Sequence, residues 1–139
     1  MPAPKRPTVP PAIVDRLRPI CLGLPGTREE AAWAGTRWCV RDKTFAHVLQ
    51  VEAGWPPAYA RALGRNGPCS VLTFRSPLRE LDAFAFGWAP FFKPAWFRDI
   101  VGMTLDARTD WDEVAGLVRA SHRHLAPAKL TRSPKTAPS

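Results

Sequence analysis

No apolar run in this 139-residue chain approaches the roughly 18 residues that a membrane-spanning helix needs. The opening stretch, MPAPKRPTVPP, carries basic residues with no apolar block behind them, so it does not read as a secretory leader. Cysteine is scarce. Cys21, Cys39 and Cys69 are odd in number and widely spaced, which fits neither a disulfide framework nor a metal knuckle. They read as small buried apolar residues of a reduced, cytoplasmic protein. Catalytic signatures are missing as well: no Gly-x-Ser-x-Gly elbow, no phosphate loop and no His-Glu-x-x-His occurs. His122 and His124 lie about 200° apart around a helix and do not face one ligand. His47 lies in a strand, away from any metal template. The expectation is a non-enzymatic protein with no cofactor and no metal.

Acidic residues are absent from both ends. The net charge is +8. Residues 1–10 contribute Lys5 and Arg6, and residues 127–139 contribute Lys129, Arg132 and Lys135, with no acid in either stretch. Five of the eight positive charges therefore lie in the ends, and the body is only mildly basic. Such a balance favours a polyanionic partner. The ends are rich in proline and poor in large apolar residues, so 1–8 and 127–139 read as flexible tails around one domain, 9–126.

What is present is an ordered series of short elements. Thr8 is a candidate cap for a first helix that has Pro10 and Pro11 in its opening turn. Ile13, Leu17, Ile20, Cys21 and Leu24 keep helical spacing. Pro19 falls inside that helix and predicts a kink or a fresh turn. Glu30 to Gly35, Thr36 to Arg41 and Thr44 to Val51 read as strands, the last two joined by a hairpin turn at Asp42-Lys43. Ala58 to Leu63 reads as one or two helical turns and Ser70 to Arg75 as another strand. Ser76-Pro77 opens a helix that ends at Gly87. An aromatic block follows (Trp88, Phe91, Phe92, Trp96, Phe97), then a strand from Ile100 to Leu105. Asp110 caps a last helix, with Asp112 and Glu113 at the positive end of its dipole and Val114, Leu117, Val118 and Ser121 on one face. Capping accounts for that acidic cluster without a catalytic role. Tight turns between successive strands imply antiparallel pairing. The fold class is α+β: a two-layer domain with an antiparallel sheet and helices packed on one face.

Several segments together resemble the MmcQ/YjbR family. They are Cys21-Leu22-Gly23-Leu24-Pro25 with Glu29-Glu30, Lys43-Thr44-Phe45-Ala46, and Leu72-Thr73-Phe74-Arg75-Ser76-Pro77. The strand from Val101 to Asp106, Asp110-Trp111-Asp112-Glu113, Ser121-His122 and Lys129-Leu130 complete the set, and the resemblance covers about residues 10–131. It implies an α+β fold similar to frataxin-like and secretion-chaperone-like domains, and it implies DNA binding.

The residues assigned to nucleic-acid contact are Arg37, Arg41, Lys43, Lys93, Arg98, Arg123 and Lys129. Arg37 and Arg41 are four apart on a strand and share a face. If Trp38 and Val40 face the helices, Arg37, Cys39 and Arg41 face away, placing cations on an open sheet face where phosphates can lie. Cys39 sits across the hairpin from His47, but strand alternation makes it a buried thiol rather than a nucleophile. Trp55 and Trp96 are candidates for stacking on unpaired bases. The partner expected is DNA, bound weakly and salt-dependently by a monomer. The competing reading is a small adaptor that holds a protein partner through Trp55-Pro56-Pro57 and Phe91 to Trp96.

Overall fold

The first helix, α1 (Pro11–Leu22), begins on prolines because its opening amides need no intrahelical acceptor. Pro10 is the cap, and Ile13 N–H donates to its carbonyl at 2.9 Å, so Thr8 does not supply the cap. The helix runs on through Pro19. Pro19 and Asp15 both lie on the exposed side, so the carbonyl that loses its donor is on the solvent side of the helix. Leu17 and Cys21 face the core at 0% exposure. Thr27 donates its hydroxyl to the carbonyls of Cys21 and Leu24, closing the helix end. This computed structural model describes residues 7–76, 90–94 and 98–126. The helix expected over 77–87, and Trp88, Trp96 and Phe97 of the aromatic block, lie outside those residues.

Among the described residues, six antiparallel strands make one sheet in the order β1-β2-β3-β4-β6-β5. They are β1 (Thr27–Ala31), β2 (Thr36–Val40), β3 (Lys43–Val51), β4 (Cys69–Arg75), β5 (Phe91–Phe92) and β6 (Ile100–Leu105). The first strand starts three residues earlier than its pattern suggested, and residues 32–35 form the turn that follows it. Gly35 explains the shift. Its φ is +76°, and a side chain there would collide with the Val48 carbonyl, so this turn can lie flat on β3 only with glycine.

The last helix, α3 (Trp111–Leu125), starts where its cap predicts. Asp110 accepts from the amides of Asp112 at 3.0 Å and Glu113 at 3.2 Å. Helices α1 and α3 cover one sheet face. Trp38, Val40, Ala46, Val48, Leu72, Phe74, Val101 and Met103 meet Leu17, Cys21, Val114 and Val118 there. Polar ties set the angle of the layer. Arg18 on α1 binds Glu29 through two nitrogens, and the Trp38 indole N–H donates to the same carboxylate at 2.9 Å. Arg18 holds the Glu29 carboxyl below its usual range, with Trp38 helping, against the opposing effect of burial.

The α+β antiparallel architecture expected from the sequence is what the structure shows. One refinement concerns α2 (Pro57–Leu63), which packs on the other face. Tyr59 and Ala60 join Leu49, Val51 and Val71 in a second, smaller apolar cluster. Leu49, Val51 and Val71 are apolar on the side away from α1 and α3, and an apolar face must be covered. Among the described residues, the covering reaches only one end of that face. No helix among the described residues is long and apolar enough to cross a membrane.

Candidate nucleic-acid interface

The turn between β2 and β3 is made by Arg41 and Asp42, with β3 starting at Lys43, one residue earlier than expected. Arg41 has φ of +57°, a left-handed conformation that costs an ordinary L-residue roughly 1–2 kcal/mol. The Arg28 guanidinium donates to the Arg41 carbonyl and holds the turn. The strained turn projects an exposed arginine and an exposed lysine beyond the end of the sheet.

A bulge links this turn to α3. Trp38 pairs with Ala46 but Cys39 pairs with Thr44, so Phe45 is the extra residue on β3. Its ring is fully buried, edge-on to His122 at a centroid distance of 5.3 Å. Its carbonyl has left the ladder and accepts the Ser121 hydroxyl at 2.6 Å. The same hydroxyl accepts the Arg75 amide at 2.8 Å. Ser121 thus ties the C-terminal half of α3 to β3 and β4 together. His122 lies beside it, 2% exposed, bound to the Pro25 carbonyl at 2.8 Å.

Register places several cations at this one end. β3 starts here, β4 ends here with Arg75, and β6 starts here, since Arg75 pairs with Ile100. β5 runs toward the same end, carrying Lys93 just past Phe92, which pairs with Gly102. α3 also ends here, and a surface depression is lined by Arg41, Asp42, Lys43 and Leu125. Arg41, Lys43, Lys93, Arg98 and Arg123 therefore share one end of the sheet, and all five are exposed. Among the described residues, the acids at this end are Asp42 and Asp99. Asp99 accepts Arg75 Nη1 at 3.1 Å on both oxygens and contacts His124 Nε2 at 3.2 Å. Burial pushes the Asp99 carboxyl up, but Arg75 and His124 outweigh it and hold the carboxyl below its usual range. Arg41, Lys43, Arg98 and Arg123 form no ion pair with any described residue. Lys93 donates to the Pro94 carbonyl at 3.0 Å, and burial lowers the pKa of its ammonium, with Asp99 opposing.

Arg37 is different. It lies further along the open face, as expected from Trp38 and Val40 facing the helices. Its guanidinium binds Glu30 at 2.7 and 2.9 Å, and Glu30 also binds Arg28 at 2.6 Å. The hydrogen bonds from Arg28 and then Arg37 hold the Glu30 carboxyl below its usual range. Arg37 is thus part of an ion triad in mid-sheet, separate from the basic end. Lys129 lies outside the described residues. Arg75 and His124 were missed in the sequence. They are 24 and 25 residues from Asp99, and only the β4–β6 pairing and the path of α3 bring the three together.

All three cysteines are free and buried, and burial pushes the Cys21 thiol far above its ordinary pKa. Cys39 contacts Thr44 and Glu30, while His47 turns to the Ala34 carbonyl at 2.6 Å. Burial lowers the pKa of His47. Among the described residues, no three His, Cys, Asp or Glu side chains gather closely enough to hold a metal.

A family model described as YjbR matches residues 22–124. No curated protein matches the chain.

Proposed function

The chain belongs to the YjbR family, and we propose that it binds DNA without chemistry, through phosphate contacts at the basic end of its sheet. The observation that carries this reading is the gathering of Arg41, Lys43, Lys93, Arg98 and Arg123 where five separate elements or turns meet. Side chains that point into water from different elements suit a backbone that runs past them. They do not suit reading by a recognition helix, since of the five only Arg123 lies on a helix, in its last turn. Sequence preference is therefore slight, because phosphate contacts position a protein without reading bases.

Salt dependence tests the reading. Each phosphate neutralised adds about −0.9 to the log–log slope of affinity against salt, so five contacts give about −4 to −5. Replacing Arg41, Lys43, Arg98 and Arg123 by alanine together should remove about 3.6 units of slope. The full chain also carries five basic residues outside 9–126, so the same measurement belongs on a chain trimmed to 9–126. If the trimmed chain scarcely binds, or the fourfold variant keeps the parent slope, the basic end is not the site.

The adaptor reading has less behind it. Among the described residues the exposed large apolar side chains are Leu22 and Trp33, on different elements. Trp55 is half-buried and meets Trp33 edge-on at 5.5 Å. Single exposed apolar residues are ordinary on a soluble surface, whereas a partner site presents several hundred Å² of continuous apolar area.

A further inference from the structure

The open sheet face carries a second feature that the DNA reading does not use. α2 and the loops beside it cover the Leu49, Val51 and Val71 end of this face. Where that cover stops, a step forms. Its floor is a row of side chains one register level on: Arg37 pairs with His47, and His47 with Thr73. Thr44 and Ile100 extend the floor, and Trp33 and Tyr59 stand at its side. The crevice holds about 170 Å³. That is well below the roughly 300–1,000 Å³ of sites for drug-sized ligands, so it suits a single ring.

Its chemistry is one-sided. Among the described residues the lining holds two arginines, two threonines, a histidine, a tyrosine and no carboxylate. Thr73 is 7% exposed and lines the crevice, and its hydroxyl bonds no described residue. The Thr44 hydroxyl has a sulfur contact at 3.7 Å, which leaves it able to donate elsewhere. His47 Nε2 bonds the Ala34 carbonyl and its Nδ1 lies 3.4 Å from the Tyr59 hydroxyl, so the imidazole is fixed in the floor. Charge sets the ligand's valence. Arg28 and Arg37 share Glu30, and among the described residues that triad carries one surplus positive charge. Trp33 and Ile100 add apolar surface beside it.

We propose that this crevice binds a small aromatic carboxylate, with the ring between Trp33 and Ile100 and the carboxylate on Arg37 and the hydroxyls of Thr44 and Thr73. One surplus charge suits a monoanion better than a phosphate dianion. The site adjoins the basic sheet end at Arg75 and Ile100, but its residues do not include Arg41, Lys43, Arg98 or Arg123.

Benzoate is the probe, with benzyl alcohol as its uncharged counterpart and phenyl phosphate as the dianion. In an amide NMR titration of the full chain, benzoate should give saturable shifts centred on Thr44, His47 and Thr73. Benzyl alcohol should bind at least about tenfold more weakly, the worth of one charge-assisted hydrogen bond. Thr73→Val and Arg37→Gln should each weaken benzoate about fivefold or more, with thermal unfolding unchanged. Thr73→Val keeps the side-chain shape, so a response from it reports the hydroxyl rather than the fold. No saturable shift, equal binding of the alcohol, tighter binding of phenyl phosphate, or indifference to both substitutions would each overturn the assignment.

Discussion

Ser121→Ala removes one oxygen and leaves two backbone groups without their partners. The side chain is fully buried, and its hydroxyl donates to the Phe45 carbonyl while accepting the Arg75 amide. Phe45 and Arg75 come next on the β3–β4 register after Ala46 and Phe74, but both bond the serine oxygen instead of each other. Leaving a buried backbone donor or acceptor unsatisfied costs about 1–3 kcal/mol. The Arg75 amide is only partly buried, so the pair should cost about 2–4 kcal/mol rather than the full sum. That is a large share of the ~5–15 kcal/mol that stabilises a domain of this size. At roughly 3–5 °C per kcal/mol, the melting temperature should fall by about 6–20 °C. Urea unfolding at fixed pH, followed by far-UV circular dichroism, gives the free-energy difference directly. A loss below about 0.5 kcal/mol, the range of an ordinary surface substitution, would refute the reasoning. It would mean that water reaches the bulge or that the strands rejoin without the serine.

Asp110→Ala should lower stability by about 0.5–2 kcal/mol through loss of the cap, with DNA affinity unchanged once the protein is folded. Lost binding with unchanged stability would instead make the acidic cluster functional. Asp99 has a depressed carboxyl pKa in the fold, so its stabilisation is present above the unfolded value near 3.9 and is lost as pH falls through the lower folded value. Wild type should therefore lose more stability than Asp99→Asn on acidification below about pH 4; parallel curves would exclude the Arg75 and His124 contacts as the cause. Alkylation of Cys21 in the native protein at neutral pH should proceed only as fast as unfolding, and rapid modification would show that the site opens locally. Arg41→Gly relieves the positive φ but loosens the unfolded chain, so stability should stay within about 0.5 kcal/mol. Its salt slope should fall by about 0.9, and an unchanged slope would remove Arg41 from the interface.

Local signals in this chain are strong wherever one residue type forces a backbone choice. Asp110 ahead of Val114, Leu117, Val118 and Ser121 marks α3 to the residue, because both a cap and a face are written in adjacent positions. Gly64 marks the end of α2 in the same way, while its start at Pro57 lies one residue before the expected Ala58. The errors came where the decisive contact is distant. Gly35 reads as the end of a strand until Val48 is known to lie beneath it. The bulge at Phe45 leaves no mark in the alternation of β3, since it exists only relative to β2. Which face α2 covers is likewise a property of Leu49, Val51 and Val71 together.

The candidate site follows the same division. Arg41 and Lys43 were legible as a pair because a hairpin keeps neighbours together. Arg37, equally close in sequence, is separated from them by what it meets. Glu30 stands across the β1–β2 ladder and takes its charge, a pairing set by a register that no spacing within β2 reveals. Lys93, Arg98 and Arg123 join Arg41 and Lys43 for the opposite reason. The chain crosses from β4 to β5 and back through β6, and α3 then returns along the sheet, so residues far apart in sequence reach one edge. Asp42 and Asp99 are the acids among the described residues that could cancel this edge. Arg75 and His124 occupy Asp99 from β4 and α3, so it does not pair with the exposed Arg41, Lys43, Arg98 or Arg123. An acid-satisfying pair inside a basic edge is therefore part of the site's electrostatics, although neither partner need touch DNA.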